Sequence, residues 1–517
     1  MSLEDAAPGT VHPATGAALE PVPATPAEQV GDVVARARAV QAEWAARSLD
    51  ARERAVLALA RAVVEEREAL AAIVSTETGR SLTDSLISEV ATAISHARAA
   101  IRAGRRALAT EKVPISALDY PGKRAVIEAV PRGVVGIIAP WNYPFTQVFR
   151  HMVPALLSGN GVVVKPSEYT PRTGAWLVAR CQDIFPAGLV GVVQGAGDVG
   201  AALIEHVDAI TFTGSVATGR KVSVRCAERL IPCTAELGSV DAAIVLADCD
   251  LERTVAGIAN WSMTNAGQDC SSIERLFVEE AIADTFVKRL AAVLGRLKVN
   301  TGEGEADIGP LQSVRQRAIV EAHVADAVER GAAVVVGGER VGPGFGYKPT
   351  LLDHCTDDMR VCQEETFGPV LPVLRVKRGE DAIARVNAAS SGLNGSVWTR
   401  DLRRGEDIAR QLEVGVALVN NHSITGTLPE APWSGVKDTG TGVAMSAWAY
   451  PAYTRRRVVF IDSGSKPDPW WFPKDAALRE FSDHIATRDM GSLAVLLKLL
   501  GALNRRVAAV RALAKGD

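Results

Sequence analysis

Cys270 closes the run Asn265-Ala266-Gly267-Gln268-Asp269-Cys270. A cysteine thiolate is a strong nucleophile when a substrate can reach it and a donor stabilises the oxyanion it creates. Gly267 lets the backbone turn tightly just before the sulfur. Two further residues have types that complete such chemistry. Glu236, in Ala235-Glu236-Leu237-Gly238, follows an apolar stretch and has small neighbours. Partial desolvation there raises a carboxyl toward the range of a general base. Asn142, in Pro140-Trp141-Asn142-Tyr143-Pro144, sits where a strand gives way to a helix. That edge of an open α/β sheet is where ligands bind, and an amide donates to an oxyanion without carrying charge. Taken singly, each has an ordinary explanation: packing for one cysteine among seven, a surface position for the glutamate, a helix cap for the asparagine. The other six cysteines are read as packing.

A second group has the types that hold phosphates and ribose hydroxyls. Lys165-Pro166-Ser167-Glu168 ends one strand, and Phe212-Thr213-Gly214-Ser215 ends another, with Gly219 in the next helical turn. Lysine and glutamate suit ribose hydroxyls. Gly214 permits close backbone approach, and Ser215 leaves a helix N-terminus facing a pyrophosphate. Glu365, in Glu364-Glu365-Thr366-Phe367-Gly368-Pro369, suits a second ribose. Gly195-Ala196-Gly197-Asp198-Val199-Gly200 is a literal GxGxxG after a strand, which is weak evidence by itself.

The elements that must position these residues follow from periodicity. Thr25-Pro26 is expected to open a helix, with Thr25 as cap, and Val30, Val33, Val34, Ala37, Val40 and Trp44 share one of its faces. Asp50 and Glu53 suggest a capping-box start to the next helix, and helical pattern continues to about Leu108. Residues 1–24 read as an extended Pro/Ala-rich arm. From Val113, alternation around Tyr120-Pro121-Gly122 predicts a hairpin. Strands at Gly133–Ala139, Val162–Lys165, Leu189–Gln194 and Ala209–Phe212 then alternate with helices at Phe145–Leu157, Thr173–Ile184 and Val199–His206. Short apolar strands so spaced mean a parallel sheet buried on both faces. A second α/β region starts near Ala242 and includes strands at 333–336 and 370–376.

Composition bounds the rest. The chain has 517 residues, 47% hydrophobic and 23% charged, which suits two or three globular domains and excludes bulk disorder, collagen-like repeat and coiled coil. A net charge of −3 gives no field for nucleic acid. Seven scattered cysteines without CxxC argue against a disulfide framework or metal site and for a reduced, cytoplasmic compartment. No secretory h-region and no bilayer-length apolar run is present. Residues 463–517 differ: Trp470-Trp471-Phe472-Pro473 precedes a helical stretch, apolar through Leu503 and basic after it. It suits a helix packed on its own domain or a partner subunit, or an interfacial amphipathic helix at a membrane surface.

WNYP, KPSE, FTGS, ELG, NxGQxC and EETFGP, in that order, resemble the aldehyde dehydrogenase superfamily from about residue 10 to 462. The resemblance implies an α/β fold. A Rossmann-like, parallel-sheet NAD(P)-binding domain would occupy 1–112 and 132–237, and an α/β catalytic domain 238–425. A β oligomerisation flap would occupy 113–131 and 426–462, its strand at about 450–462, and a helical tail 463–517. It implies Cys270 as nucleophile, Glu236 as general base and Asn142 as oxyanion amide. Lys165 and Glu168, with Ser167, match adenine-ribose contacts. Gly214 and Ser215 match the pyrophosphate region, and Glu365 the nicotinamide ribose, with Trp141, Leu237 and Phe367 nearby. Gly195 and Gly200 become pocket wall. The implied reaction is NAD(P)-dependent oxidation of an aldehyde to a carboxylic acid through a thiohemiacetal and a thioester. Glu168 favours NAD, although relatives with this residue also accept NADP. The implied assembly is a homodimer or homotetramer.

Arg150 matches the arginine with which succinate-semialdehyde dehydrogenases hold the substrate carboxylate; an inward Asp269 would oppose an anion. The rival substrate is an apolar medium-chain or aromatic aldehyde, delivered at a membrane surface, and a non-catalytic relative is the remaining alternative. Two departures stand out. The family's ELGG-K reads Glu236-Leu237-Gly238-Ser239-Val240, so a Cβ at 239 is expected to crowd the backbone near the base. The segment Ser434–Val443 lacks the first glycine and final arginine of the family's GGxKxSGxGR, which puts specificity and assembly in question.

Overall fold

The computed structural model describes residues 6–116, 120, 122–302, 306–487 and 493–515. They fall into two units, Met1–Ala109 with Ala129–Arg455, and Thr110–Glu128 with Arg456–Asp517.

Among the described residues, the larger unit holds two large sheets and a two-stranded ladder of Ser391–Gly392 with Val436–Lys437. In the first, β1 (Val134–Ile138), β2 (Gly161–Lys165), β3 (Val190–Val192), β4 (Ala209–Gly214) and β5 (Cys233–Leu237) are parallel, in the order β5-β4-β1-β2-β3. Every residue of β1 and β2 is buried, because helices cover both faces. Alternation assigns the two faces: Val134 and Ile138 join one core with Val30, Val34 and Leu203, while Val135 and Ile137 join another with Trp44, Phe149 and Leu177. Gly440–Thr441, from the divergent 434–443 segment, adds antiparallel to β5, with Gly440 opposite Glu236.

The second sheet contains β6 (Asp241–Val245), β7 (Ile273–Glu279), β8 (Ala333–Val336), β9 (Thr350–Asp353), β10 (Val370–Val376), β11 (Asn394–Trp398) and β12 (Val416–Val419). Its order is β8-β9-β10-β7-β6-β11-β12, parallel except where β8 meets β9. Ala242, Ile244 and Leu246 face one core, Ala243 and Val245 the other. Gly238–Val240 is thus a three-residue passage from one sheet to the next, directly after Glu236.

Several local expectations need correction. Thr25 does not cap a helix. Its hydroxyl and N–H pair with Gln194, and the chain enters α-helix Val30–Ala46 through a short 3₁₀ turn after Pro26. The cap of helix Leu49–Glu65 is Ser48, which accepts from Ala51, and Glu53 instead binds Arg105. The N-terminal segment is no free arm, since Ala14 is buried and Val11 bridges Ala18; its first five residues lie outside the described ones.

In the smaller unit, Glu111–Lys112 pairs antiparallel with Lys123–Pro131, placing Glu111 opposite Ile127, and Thr454–Asp462 forms the third strand. The first hairpin strand is therefore shorter and earlier than the alternation from Val113 implied. Pro121 of the expected turn is outside the described residues. Helices Ala476–Thr487 and Leu493–Lys515 follow and pack together through Phe481, Leu499 and Ala502.

Candidate active site

Asn142 lies in the loop between β1 and helix Thr146–Leu157. Its side-chain amide donates to the Gln268 carbonyl at 3.1 Å, and its own carbonyl accepts from Arg80 at 2.6 Å and Asn265 at 3.1 Å. Asn142 does not cap the helix, because the Thr146 N–H donates to Glu89 at 2.7 Å. A turn of π-helix at Leu86–Val90 presents that carboxylate, which also forms a fully buried ion pair with Arg80 at 3.1 Å. One ion pair thus braces both Asn142 and the start of the helix that carries Arg150.

Cys270 follows helix Leu251–Met263 through three consecutive left-handed residues, Asn265, Ala266 and Gly267 (φ 53°, 55° and 68°). A Cβ at Gly267 would lie 2.1 Å from the Gly368 carbonyl oxygen, so glycine is required there. Gln268 locks the loop, donating to Asn265 and Pro310 and accepting from Gln312. Asp269 Oδ1 accepts from the Ser271 N–H and hydroxyl, both at 2.9 Å, and Oδ2 accepts from the Tyr143 hydroxyl at 2.9 Å. The Cys270 sulfur is 3.8 Å from Asp269 Oδ1. Burial pushes its thiol up, the negative charges of Asp269, Glu236 and Glu365 add to that, and Arg150 opposes them. A resting thiol there is protonated and needs a base.

That base has one candidate from the sequence. Glu236, half-buried on β5, has an Oε1 with no hydrogen-bond partner among the described residues. Burial raises its carboxyl to about 7, against the Arg150 charge, the Ala444 N–H and the Trp433 indole. Ser239 does not crowd it: its hydroxyl donates to Asp241 at 2.5 Å and accepts from the Leu393 N–H at 3.0 Å, turning the side chain onto the second sheet.

A cavity of about 590 Å³ opens over the sulfur, lined by Cys270, Arg150, Tyr143, Asp269, Trp261 and Trp433 among others. Arg150 is half-buried and donates to the Gly426 carbonyl at 3.3 Å, while its Nε has no partner. It forms no ion pair with any described residue, so it is neither a surface nor a salt-bridged arginine.

The first sheet reverses its winding between β1 and β4, which opens a crevice beyond the carboxyl ends of its strands. Trp141, Lys165, Ser167, Glu168, Gly214, Ser215 and Leu237 all lie at these ends. Lys165 is buried, donates to the Pro166 carbonyl at 2.7 Å and sits 3.6 Å from the Glu168 carboxylate. Burial lowers its ammonium pKa and Glu168 works against that. Ser215 caps helix Val216–Glu228 by accepting from Thr218. Gly200 stands against the Lys165 side chain, where an added Cβ would be 3.4 Å from Cδ, so the GxGxxG helix forms a wall. An ammonium, hydroxyl and carboxylate at a switch point are a donor set that fits a dinucleotide.

Glu365 accepts from the Ser239 N–H at 3.1 Å, and a Cβ at Gly238 would lie 2.1 Å from its Oε2. Burial raises its carboxyl, with Asp241 and Asp269 adding to the effect. Phe367 (φ 50°) meets Trp141 edge to face at 5.4 Å, and buried Glu274 holds the loop by accepting from the Thr366 and Phe367 N–H groups. The structure therefore gathers Cys270, Asn142, Glu236 and Arg150 at one place and the ribose-type residues at the adjoining crevice. Sequence reasoning missed Tyr143 and Gln268 as partners, although both stand inside quoted motifs. The Arg80–Glu89 brace left no local signal.

A model of the aldehyde dehydrogenase family matches residues 4–459. A Mycolicibacterium smegmatis protein, provisionally named succinate-semialdehyde dehydrogenase [NADP(+)], is 36% identical over 466 residues, 88% of this chain and 89% of its own. A 4,4'-diapolycopene aldehyde oxidase of Methylomonas is 34% identical over 480 residues, 90% and 88% of the two chains. The NAD+ complex of a Bacillus cereus aldehyde dehydrogenase superposes with a TM-score of 0.84 at 31% identity, covering 88% and 93%. The chain belongs to the aldehyde dehydrogenase family.

Proposed function

We propose that the chain oxidises a short aldehyde bearing a carboxylate, with succinate semialdehyde as the type substrate, to the corresponding acid. Aldehyde oxidation with NAD or NADP is the family's reaction. The carboxylate is the further step, and it is carried by one observation: Arg150 presents a guanidinium without an ion-pair partner to the cavity that holds Cys270.

In this reading Glu236, near half-ionised at neutrality, takes the thiol proton, and the Cys270 sulfur adds to the aldehyde carbon. The oxygen that becomes anionic takes the second N–H of the Asn142 amide, the first being committed to Gln268, and the Cys270 N–H. When bound, the nicotinamide supplies the acceptor for the hydride leaving that carbon. Once Glu236 has released the thiol proton to solvent, it removes a proton from the water that attacks the thioester and returns it to the departing sulfur, leaving the acid and the free thiol. Lys165, Ser167 and Glu168 would hold the adenine ribose, Gly214 and Ser215 the pyrophosphate, and Glu365 the second ribose, with Trp141, Leu237 and Phe367 beside it.

The cavity's size, with Ile87, Trp261 and Trp433 in its walls, favours a second reading in which the substrate is an apolar aldehyde. An aldehyde panel with both cofactors, on wild type and Arg150→Ala, separates the two. Unchanged turnover of succinate semialdehyde in the variant ends the carboxylate reading. Assembly as a homodimer or homotetramer belongs to the proposal, supported by the exposed Val458 and Phe460 on strand Thr454–Asp462. So does a cytoplasmic setting, supported by seven free cysteines.

A further inference from the structure

The two C-terminal helices carry a surface that the reaction does not use. Buried Arg506 clamps the preceding segment: it donates to the carbonyls of Pro469 and Trp471 and pairs with Asp475 at 3.3 Å. Trp470, itself 48% exposed, meets Phe481 edge-on at 5.2 Å. The clamp leaves Trp471 and Phe472 outside, 59% and 67% exposed, beside the basic half of helix Leu493–Lys515. Leu497, Leu500 and Leu513 are exposed on that helix as well.

Charge goes with these apolar groups. Helix Leu493–Lys515 contains Lys498, Arg505, Arg506, Arg511 and Lys515 and no acidic residue. Arg505 is paired with Glu480 and Arg506 with Asp475, but Lys498, Arg511 and Lys515 have no ion pair among the described residues. Lys474 stands 5.8 Å over the Phe472 ring, also without an ion pair among the described residues. No described helix is long and apolar enough to cross a membrane.

From this pairing of exposed tryptophan and phenylalanine with unneutralised cations, we infer that the C-terminal helical pair docks on the surface of an anionic lipid bilayer. Aromatic rings and leucines enter the headgroup boundary while lysine and arginine meet lipid phosphates and carboxylates. A second copy of this chain fits the surface less well. A two-fold contact through it would set one cationic patch against another.

The test is co-sedimentation of the full-length protein with phosphatidylcholine vesicles and with phosphatidylcholine–phosphatidylserine vesicles, at low and high salt. Wild type is expected to pellet with the anionic vesicles only, and less in high salt. Trp471→Ser with Phe472→Ser, and separately Arg511→Glu with Lys515→Glu, are expected to lower binding by about tenfold or more. Aldehyde oxidation should stay at the wild-type rate in both, which shows that they fold. Wild type remaining in the supernatant with both vesicles overturns the inference, as do variants that bind like wild type. Light scattering completes the test: if the variants lose subunits and wild type binds no vesicle, the surface belongs to a second copy.

Discussion

The Asn142 amide donates to the carbonyl of Gln268, two residues before Cys270, at 3.1 Å. The group assigned to the oxyanion is therefore tied to the peptide that carries the nucleophile, and Asn142 is braced from behind by the Arg80–Glu89 pair. Such a donor spends no reorganisation when charge develops.

Asn142→Asp keeps the shape and replaces a donor with an acceptor. We expect kcat to fall by about 10²- to 10³-fold, with little change in the cofactor concentration needed for half-saturation. Steady-state rates at saturating aldehyde check this.

A carboxylate base works only when ionised, so if Glu236 has the proposed role, kcat should rise with pH and level off above about 7. Glu236→Gln should remove that inflection and lower kcat by about 10²- to 10⁴-fold. Stability has a definite sign. The folded carboxyl holds its proton above its ordinary value of 4.5, up to about 7. Wild type therefore loses stability as pH rises through this window, and none below it. The glutamine variant should gain on wild type across the same window and keep a constant margin above it, as read by denaturant unfolding at several pH values.

Arg150→Ala should raise KM for succinate semialdehyde by about tenfold to a hundredfold and leave an uncharged short aldehyde near wild type. Its positive charge also lowers the Glu236 carboxyl. The pH inflection measured with the uncharged aldehyde should therefore move upward in this variant, an effect that a purely structural arginine would not produce.

Much of this site was legible because its residues stand inside short segments whose backbone geometry their own types dictate. Gly267 must be glycine where the Gly368 carbonyl approaches, and strand β1 ends at Ile138, just before Pro140-Trp141-Asn142. Sheet strands were readable from apolar runs because helices cover both faces. What stayed hidden depends on distant partners. Nothing near Ser239 foretells that the Leu393 N–H donates to its hydroxyl, which holds the side chain on the second sheet and away from the base. Nothing near Glu89 announces the Thr146 N–H. The caps at Thr25 and Asp50 were misplaced because Gln194 and Arg105 claim side chains that local pattern gave to helix ends.

Asp269, 3.8 Å from the sulfur, has the largest effect of the three carboxylates that raise the Cys270 thiol. Asp269→Asn should lower the thiol pKa, so alkylation by iodoacetamide in the unliganded protein should begin at lower pH. A labelling profile between pH 6 and 10 of about equal spacing to wild type, shifted to lower pH, is the expected result.

The most direct measurement is mass spectrometry of Glu236→Gln incubated with succinate semialdehyde and NAD at alkaline pH, where the Cys270 thiol ionises without Glu236, and then quenched in acid. A succinyl thioester on the peptide containing Cys270, accumulating with one equivalent of NADH, is what the account requires. NADH formed with that peptide unmodified, or with the acyl group on another cysteine, would contradict it.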